Sequence, residues 1–498
     1  MLSIFYLIMK SIICLLLAGL ILVSCHTVPE KRPNFVFILV DDLGWADIGA
    51  NWPETFYDTP NLDALARRGV RFSQAYAAHP VCSPTRAALM TGQHPNRLNI
   101  TDWIPGFDRD AAIRPIITPQ ISHELALEEE TLGEKFKEGG YHTYFVGKWH
   151  LGEEEKYWPE NQGFDINIGG WSVGAPQLKE GVANGYFSPY GNPRLEDGPE
   201  GEYLTDRLTQ ESIRLMKESG DKPFLLYLSY YTVHTPIQAV PRHHERYLQK
   251  KEMANLSALE GYRKEGVDGV TKLIQDNTGY ASMVAAMDEN VGRIMEALVE
   301  LGLDENTWVI FTSDNGGLST LFQEGAPTAN GPLRAGKGWC YEGGIRVPLL
   351  ISGPGVARPG RVIDYPVVSM DYFTTMLSLA EISHQPHDGV SLVPLLTDPS
   401  REIGDREELF WHYPHYHGSA WRPGSALRVG KWKLIYYYET ETRELFDLEG
   451  DPEEVNNLSD IMPELADEFQ QRLFDRLTET GARFPVRKEV PGNLGTAL

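Results

Sequence analysis

Residues 34–42 read "NFVFILVDD", in which a six-residue apolar run follows Asn34 and ends at two aspartates. Three later runs have the same form: "YHTYFVG" (141–147), "PFLLYLSYYTV" (223–233) and "TWVIFTS" (307–313). Short, nearly continuous runs of β-branched and aromatic residues are typical of strands buried on both faces of a parallel sheet. The four runs therefore predict a largely parallel central sheet.

Helical segments lie between these runs. "TPNLDALARRG" has Thr59 as its cap, a proline at the first helical position and Gly69 as its stop. "TLGEKFKEGG" opens with a capping box formed by Thr131 and Glu134, and residues 280–302 form a long amphipathic run. Strands that alternate with helices predict an α/β fold.

Polar side chains follow each predicted strand, and ligands of open α/β sheets bind outside the carboxyl ends of the strands. We therefore expect these side chains to meet at one edge of the sheet: Asp41, Asp42, Lys148, His150, His234, Asp314 and Asn315. Each motif alone has an ordinary explanation, since paired aspartates and "SDNG" are common in turns and a single histidine is often structural. Four such motifs at one edge favour a functional site.

The candidate site contains two chemical sets. The acidic set, which offers only oxygen ligands, favours Ca²⁺ or Mg²⁺ over Zn²⁺: Asp41, Asp42, Asp314 and Asn315. The basic set includes a lysine from the glycine-rich stretch "GPLRAGKGWCYEGGIRVP": Arg86, Lys148, His150, His234 and Lys337. A metal ion beside several cations suits an ester of a tetrahedral oxyanion.

Residues 81–92, "VCSPTRAALMTG", predict a helix with Ser83 as N-cap, Pro84 at the first helical position and Gly92 as its end. Cys82 then faces the positive end of the helix dipole, with Arg86 nearby, a position that favours an anion. The alternative is that Cys82 is a small buried apolar residue, as most free cysteines are.

The composition limits the classes of partner. The chain has 498 residues, 42% hydrophobic and 23% charged, with a formal net charge of -24. Such a charge argues against nucleic acid and anionic membrane surfaces as general partners. An anionic substrate therefore requires a local cationic pocket, which the basic set supplies.

The N-terminus resembles a bacterial lipoprotein signal. From Met9 the chain reads "MKSIICLLLAGLILVSC", so residues 1–24 are predicted to be a signal peptide and Cys25 the lipidated first residue of the mature protein. Met9 fits the start of translation better than Met1, because the first eight residues lack a charged segment. An uncleaved membrane anchor is the alternative. Both readings predict a protein tethered in the bacterial cell envelope, in the periplasm or at the cell surface.

Four cysteines are present, and two of them, Cys14 and Cys25, belong to the signal segment. The remaining pair, Cys82 and Cys340, allows one disulfide in an oxidising compartment.

Two stretches carry a family resemblance. "PVCSPTRAALMTG" (80–92) and "GYHTYFVGKWH" (140–150) resemble the two signatures of type I, formylglycine-dependent sulfatases of the alkaline phosphatase superfamily. The likeness runs from 34 to 348 and continues at "ELFDLEGDPEEVNNL" (444–458). It implies a catalytic domain over 33–400, with a mixed, mostly parallel sheet between helices. It also implies a smaller α+β subdomain over 405–498, an antiparallel sheet plus a helix, that closes the active site.

The resemblance implies that a maturation enzyme oxidises Cys82 to formylglycine (3-oxoalanine). One hydroxyl of the hydrated aldehyde then attacks sulfur, and the other, once deprotonated, expels sulfate, whereas an ordinary alkoxide would form a stable sulfate ester. A disulfide between Cys82 and Cys340 would abolish this chemistry and is therefore disfavoured.

The resemblance also implies roles for the remaining site residues. One calcium ion is expected on the modified Cys82 and the acidic set defined above: Asp41, Asp42, Asp314 and Asn315. Arg86 is expected to steady the nucleophile, and Lys148 and Lys337 to neutralise sulfate oxygens. His234 is expected to protonate the leaving alcohol, and His150 to take the proton that drives sulfate release.

An aromatic and histidine-rich stretch of the C-terminal region predicts substrate contacts through stacking on sugar rings. Its candidate substrate-binding residues are His412, His415, Trp421 and Arg422. The alternative for these residues and for Trp411 and Tyr413 is an interdomain core. Together with the lipid tether, the stretch favours a sulfated polysaccharide or oligosaccharide. Related bacterial lipoprotein sulfatases resemble parts of polysaccharide-degrading systems, including those for marine algal polymers such as ulvan. Three alternatives stay open: an arylsulfatase, a phosphonate or phosphate ester hydrolase, and a non-catalytic glycan-binding lipoprotein if Cys82 is unmodified.

Overall fold

The computed structural model describes residues 31–107, 113–256, 261–398, 400, 404 and 406–488. The predicted signal peptide and Cys25 lie outside the described residues. From Pro33 onward the chain forms one compact unit. Within the described ranges, every helix is too short or too polar to cross a membrane.

The central sheet has eight strands, and the four predicted runs form its middle. In chain order the strands are β1 (Asn34–Val40), β2 (Val70–Phe72), β3 (His142–Gly147), β4 (Ile166–Ile168), β5 (Phe224–Ser229), β6 (Thr307–Ser313), β7 (Leu349–Ser352) and β8 (Val362–Ile363). Their spatial order is β8-β2-β7-β6-β1-β5-β3-β4. Only β7 runs antiparallel to its neighbours, so the sheet is mixed and mostly parallel.

The strand register aligns the ends of β1, β5, β3 and β6. Val40 pairs with Ser313 across β1 and β6, and Ser229 of β5 pairs with both Leu39 and Gly147. The residues that follow these strands therefore leave the sheet at one edge, as the sequence predicts.

Helices cover both faces of the sheet. In chain order the helices are α1 (Pro60–Arg68), α2 (Cys82–Thr91), α3 (Pro95–Leu98), α4 (Leu132–Glu138), α5 (Leu204–Glu218), α6 (Pro241–Ala254), α7 (Thr278–Glu300), α8 (Glu342–Ile345), α9 (Met370–Leu379), α10 (Val393–Thr397) and α11 (Pro463–Glu479). Because side chains alternate along a strand, Val36 and Ile38 face the core that contains Leu208 of α5. Phe35 and Phe37 face the other core, which α2 and α9 share.

The predicted ends of α1 and α4 agree with the structure, whereas α7 spans Thr278–Glu300 rather than 280–302 and the start of α2 differs. Thr59 and Gly69 flank α1, and the capping box of Thr131 and Glu134 opens α4. The assignments of Ser83 as N-cap and of Pro84 as the first helical residue are wrong, because α2 begins at Cys82 and its N-cap is Val81. The Ser83 hydroxyl instead accepts a hydrogen bond from the backbone N–H of Ile104, at 3.0 Å.

The C-terminal segment forms a four-stranded antiparallel sheet with one helix. Its strands are β9 (Glu408–Tyr413), β10 (Gly424–Val429), β11 (Trp432–Tyr437) and β12 (Thr442–Asp447). One face of this sheet packs on α11 through Leu434 and Leu473. The opposite face packs on the part of the chain that contains the central sheet, where Trp411 and Ile435 meet Tyr341.

Short strands and turns complete the described structure. The remaining strands are Ala75–Tyr76 with Val367–Val368, Ile116–Ile117 with Val486–Arg487, Leu178–Lys179 with Ala183–Asn184, and the trio Tyr262–Glu265, Gly269–Lys272 and Thr320–Leu321.

Candidate active site

The structure brings all the sequence-predicted catalytic and metal-binding residues to the carboxyl edge of the central sheet, around the start of α2. The set comprises Asp41, Asp42, Cys82, Arg86, Lys148, His150, His234, Asp314, Asn315 and Lys337. Every one is buried except His234, whose side chain is 18% exposed.

Arg86 lies one turn after Cys82 on α2 and is anchored at both ends of its guanidinium. Nε and Nη2 donate to Asp314 Oδ2 at 2.9 and 2.7 Å, while Nη1 donates to the backbone oxygen of Lys148 and to Ser229 Oγ. Burial disfavours the charge, but Asp314 and Asp41 outweigh it and raise the pKa of Arg86. The guanidinium thus fixes α2 against the ends of three strands.

Asp41 is paired with Lys148. Lys148 Nζ lies 2.7 Å from Asp41 Oδ2, and both side chains are fully buried. Burial raises the pKa of Asp41 well above its ordinary value, and the charge of Lys148 only partly compensates. Asp41 Oδ1 is buried and accepts no hydrogen bond from the described residues.

Asp42 is the second paired carboxylate. Lys337 Nζ lies 2.7 Å from Asp42 Oδ1, and Asn315 Nδ2 donates to the same oxygen at 2.8 Å. Burial favours the neutral carboxyl, but Lys337, His234 and Lys148 together outweigh it and hold the pKa of Asp42 far below its ordinary value. His234 Nε2 lies 3.6 Å from Asp42 Oδ2.

These residues fit a bound divalent cation. In the described part of the chain, Asp41 Oδ1 and Asn315 Oδ1 are buried oxygens without a hydrogen-bond donor. Single ligand atoms of Asp41, Asp42 and His234 lie within 4.8 Å of one another. Both carboxylate oxygens of Asp314 accept hydrogen bonds. Arg86 donates to Oδ2, and the backbone N–H of Asp42 donates to Oδ1 at 3.2 Å. The oxygen-rich donor set suits Ca²⁺.

His150 faces Cys82 as a hydrogen-bond acceptor. Its Nε2 lies 2.6 Å from the backbone oxygen of Ile104, which only accepts, so Nε2 carries the hydrogen. Nδ1 is then unprotonated and lies 3.3 Å from Cys82 Sγ. Burial and the charge of Lys148 hold the pKa of His150 well below its ordinary value. The ring is therefore a neutral base directed at residue 82.

Both cysteines of the described residues are free and buried. The structure thus excludes the disulfide between Cys82 and Cys340 that the sequence disfavoured. Cys340 packs in the core between the catalytic region and the C-terminal sheet.

A cavity of about 750 Å³ opens above Cys82. His150, His234 and Lys337 line it beside Cys82. Its other walls come from loops that carry no recognisable motif, and sequence reasoning missed these residues: Trp103, Phe107, Glu153, Gln177, His417 and Ser419. The only signal was the histidine-rich stretch that contains His417.

Comparison with known proteins identifies the family. The family model described as Sulfatase matches residues 33–382. The chain belongs to the sulfatase family. A second model, described as N-sulphoglucosamine sulphohydrolase, C-terminal, matches residues 335–482 of this sulfatase. As a member of the family within the alkaline phosphatase-like superfamily, the enzyme is a sulfuric ester hydrolase.

Sequence and structure alignments with individual relatives extend over most of this chain. A sulfatase of Formosa agariphila is 30% identical and covers 89% of this chain and 88% of its own. The N-acetylgalactosamine-6-sulfatase of Mus musculus is 31% identical, with 92% and 82% covered. The crystal structure of Ps i-CgsB in complex with k-i-k-neocarrahexaose aligns with a TM-score of 0.70 and 27% identity, covering 91% of this chain and 95% of that one.

The residues expected to stack on sugar rings lie instead inside the sulfatase. His412 Nδ1 lies 2.7 Å from Ser425 Oγ, His415 Nε2 lies 2.9 Å from Thr101 Oγ1, and Trp421 stacks on Tyr413. All three predicted substrate-binding side chains are buried by protein: His412, His415 and Trp421. They form the interdomain core that the sequence left as the alternative.

Arg422 also has protein partners rather than a place in the cavity wall. Its guanidinium pairs with Glu439 and with Asp268, each at 2.7 Å. The substrate-binding assignment of Arg422 is corrected on the same ground. The C-terminal segment still reaches the cavity, through the loop over 417–419.

Proposed function

We propose that this sulfatase removes sulfate from a sulfated carbohydrate after a maturation enzyme has converted Cys82 to formylglycine, with one calcium ion bound beside it. The observation that carries the proposal is the position of residue 82. It lies at the start of α2 on the floor of the cavity, opposite a neutral histidine base and within the cluster of Arg86 and two lysines.

The hydrated aldehyde supplies two geminal hydroxyls, one for attack on sulfur and one for release of sulfate. The protein supplies the proton acceptor, because His150 Nδ1 points at residue 82 and its Nε2–H is held by the backbone oxygen of Ile104. That fixed tautomer keeps the same nitrogen available as a base.

Lys337 and Lys148 supply positive charge for the sulfate oxygens. Both ammonium groups lie in the buried cluster, and Lys337 also lines the cavity. The carboxylate and amide oxygens of the acidic set would hold the calcium ion, which supplies further positive charge when bound. Fixed charges in a site that excludes water stabilise a transition state more strongly than they would in water.

In this proposal, His234 protonates the leaving alcohol. Its Nδ1 lies 2.8 Å from the backbone oxygen of Thr235, which can only accept, so the hydrogen of the neutral ring is on Nδ1. Nε2 lies on the cavity side of the ring, toward Asp42. Burial and the charge of Lys337 lower the pKa of His234 to about 3. A bound sulfate ester adds negative charge, which raises this pKa, so that Nε2 can take up a proton from solvent and then give it to the oxygen of the leaving alcohol.

The cavity supports a sugar as the leaving group. Its wall combines the aromatic rings of Trp103 and Phe107 with the polar groups of Glu153, Gln177 and His417, a combination that suits a ring with hydroxyls. Two similar proteins support a carbohydrate substrate by their names: the N-acetylgalactosamine-6-sulfatase, and Ps i-CgsB in its complex with neocarrahexaose. An algal polymer such as ulvan belongs to this class. The lipid-anchored location in the cell envelope is part of the proposal.

The test is co-expression with a formylglycine-generating enzyme, intact-mass analysis of the peptide that contains Cys82, and assay of sulfate release. The substrates are 4-nitrophenyl sulfate, N-acetylgalactosamine 6-sulfate, and oligosaccharides of carrageenan and ulvan, with 4-nitrophenyl phosphate and a phenyl phosphonate ester as controls. We expect a converted residue 82 and fastest turnover on a sulfated sugar. An unmodified thiol with no sulfate release would leave only the glycan-binding alternative, and faster phosphonate turnover would reassign the reaction.

A further inference from the structure

His417 reaches the cavity from the loop between β9 and β10, although its ring is only 8% exposed. It packs against the segment that carries Lys337. Gly338 has φ +83°, and a Cβ at this glycine would lie 2.2 Å from His417 Nδ1, so only glycine lets the ring approach this closely. The C-terminal subdomain thus contributes a histidine to the active-site wall.

The hydrogen bonds of His417 fix its tautomer. The backbone N–H of Ser419 donates to His417 Nδ1 at 3.1 Å, and Ser419 Oγ lies 2.7 Å from the same nitrogen. A backbone N–H can only donate, so Nδ1 is unprotonated and the hydrogen of the neutral ring is on Nε2. No hydrogen bond between described residues uses this Nε2–H.

The ring also remains neutral over the working range of an enzyme. Burial, followed by the charge of Lys337, lowers the pKa of His417 to about 3. His417 therefore offers the cavity one uncharged N–H donor, beside Lys337 in the cavity lining.

We propose that the Nε2–H of His417 donates a hydrogen bond to a hydroxyl of the leaving sugar and that His417 is a specificity-determining residue. This inference rests on the proposed function. The proposed function assigns Lys337 and Lys148 to the sulfate oxygens, which leaves the N–H of His417 for the leaving sugar, whose hydroxyl groups accept neutral hydrogen bonds. A site built to bond a hydroxyl discriminates against substrates that lack it.

Two substitutions separate this role from a structural one. In His417→Asn, the side-chain oxygen occupies the position of Nδ1 and keeps the bond from the Ser419 N–H, but no donor reaches the position of Nε2. In His417→Gln, the amide nitrogen occupies the position of Nε2 and restores the donor, while the Nδ1 acceptor is lost. Tyr416→Phe is the matched control, because its hydroxyl bonds Glu439 outside the cavity.

Each variant is assayed on 4-nitrophenyl sulfate and on the sulfated sugar that wild type cleaves fastest in the panel above. We expect His417→Asn to lower kcat/KM on the sugar about 2- to 10-fold, the effect of one neutral hydrogen bond, and to leave the aryl sulfate unchanged. His417→Gln should recover most of the sugar activity, and Tyr416→Phe should match wild type.

The opposite order, with Asn active and Gln impaired on the sugar, would show that His417 only shapes its loop and would overturn the inference. Equal losses on both substrates for His417→Asn would overturn it as well. Wild type that cleaves no sulfated sugar would instead defeat the proposed function, and this inference with it.

Discussion

Lys148 Nζ and Asp41 Oδ2 are 2.7 Å apart in a fully buried pair, although they follow strands β3 and β1, which β5 separates. The lysine spans the width of β5 to reach the carboxylate. Because a buried charge is costly unless it is paired, the pair holds the ends of the two strands together. The catalytic cluster is therefore also part of what stabilises this edge of the sheet.

Calcium should stabilise the protein through two buried oxygens that accept no hydrogen bond from any described residue, Asp41 Oδ1 and Asn315 Oδ1. A ligand that binds only the folded state stabilises it by about 2.7 kcal/mol at a hundredfold excess over Kd. We expect calcium to raise Tm, chelation to lower both Tm and activity, and Asp41→Asn to shrink the calcium-dependent rise. Asp288→Asn changes a carboxylate that only bonds Asn61 and Leu62, so it should keep the rise. Equal Tm values with calcium and with chelator would disprove the metal assignment.

Substitution of Cys82 should abolish turnover without loss of the fold. Cys82→Ala and Cys82→Ser both fit the site sterically, but neither can be converted in a cell that oxidises only cysteine. Cys340→Ala is the matched control, because Cys340 is equally buried and lies outside the cavity lining. The measurements are sulfate release and Tm. Wild-type turnover by Cys82→Ala, or loss of turnover in Cys340→Ala, would contradict the role of residue 82.

Asp102 should make stability depend on pH. Burial raises the pKa of Asp102 from 3.8 to about 7, although Tyr413 and two backbone N–H groups donate to its carboxylate. Between these values the folded state holds a proton that the unfolded state has lost, so this contribution to stability falls as pH rises from about 4 to about 7. Tm of Asp102→Asn should therefore decline less than that of wild type between pH 5 and 8.

Tyr413→Phe provides the matched test of this assignment. It removes a hydrogen bond that favours the ionised form of Asp102, so the decline in Tm should extend to higher pH. Superimposable pH profiles for wild type and Asp102→Asn would show that the carboxyl does not titrate in this range.

Lys433 should anchor the C-terminal sheet to the catalytic region. Its Nζ lies 2.8 Å from Glu454 and 3.1 Å from Glu342, and all three side chains are at most 1% exposed. Lys433→Met leaves the buried Glu454 carboxylate without this cation, while Glu342 keeps Arg346 at 3.6 Å. Removal of one partner of a buried ion pair should cost about 3–5 kcal/mol of stability. Lys431→Met, at an exposed surface pair with Asp447, should leave Tm nearly unchanged. Comparable Tm values for the two variants would show that the buried pair contributes little.

Local patterns predicted the central strands, because buried parallel strands produce recognisable apolar runs and their polar ends mark the site. The strand at 34–40 and the strand at 307–313 agree residue for residue with β1 and β6. The edge strands, such as Val362–Ile363, are too short to produce a pattern. The cavity wall was equally unpredictable, because His417 gains its role from packing on Gly338, a contact between distant parts of the chain.

The prediction that the aromatic stretch of the C-terminal region stacks on sugar rings was wrong because it rested on composition alone. Trp411 and Trp421 are the kind of residues that stack on sugars, and only the packing of the second sheet shows that their faces are covered. Sequence shows that aromatic surface must be buried, but it does not show whether protein or ligand covers it.

His234 and His150 should differ in how their loss depends on the substrate, because the proposed mechanism assigns them to different steps. General acid catalysis contributes about 10²–10⁴-fold when the leaving group is poor. His234→Ala should therefore lose that factor on a sulfated sugar and much less on 4-nitrophenyl sulfate, whose phenolate leaves without protonation. The measurement is kcat on both substrates.

His150→Ala should slow both substrates alike. His150 Nδ1 faces residue 82 rather than the leaving group, so its loss should slow sulfate release and let sulfated enzyme accumulate, visible by intact mass. His150→Asn keeps a side-chain oxygen acceptor near the position of Nδ1 and should therefore retain more activity than His150→Ala. Equal losses on the two substrates for His234→Ala would remove it as the leaving-group acid, and a substrate-dependent loss for His150→Ala would reverse the two assignments.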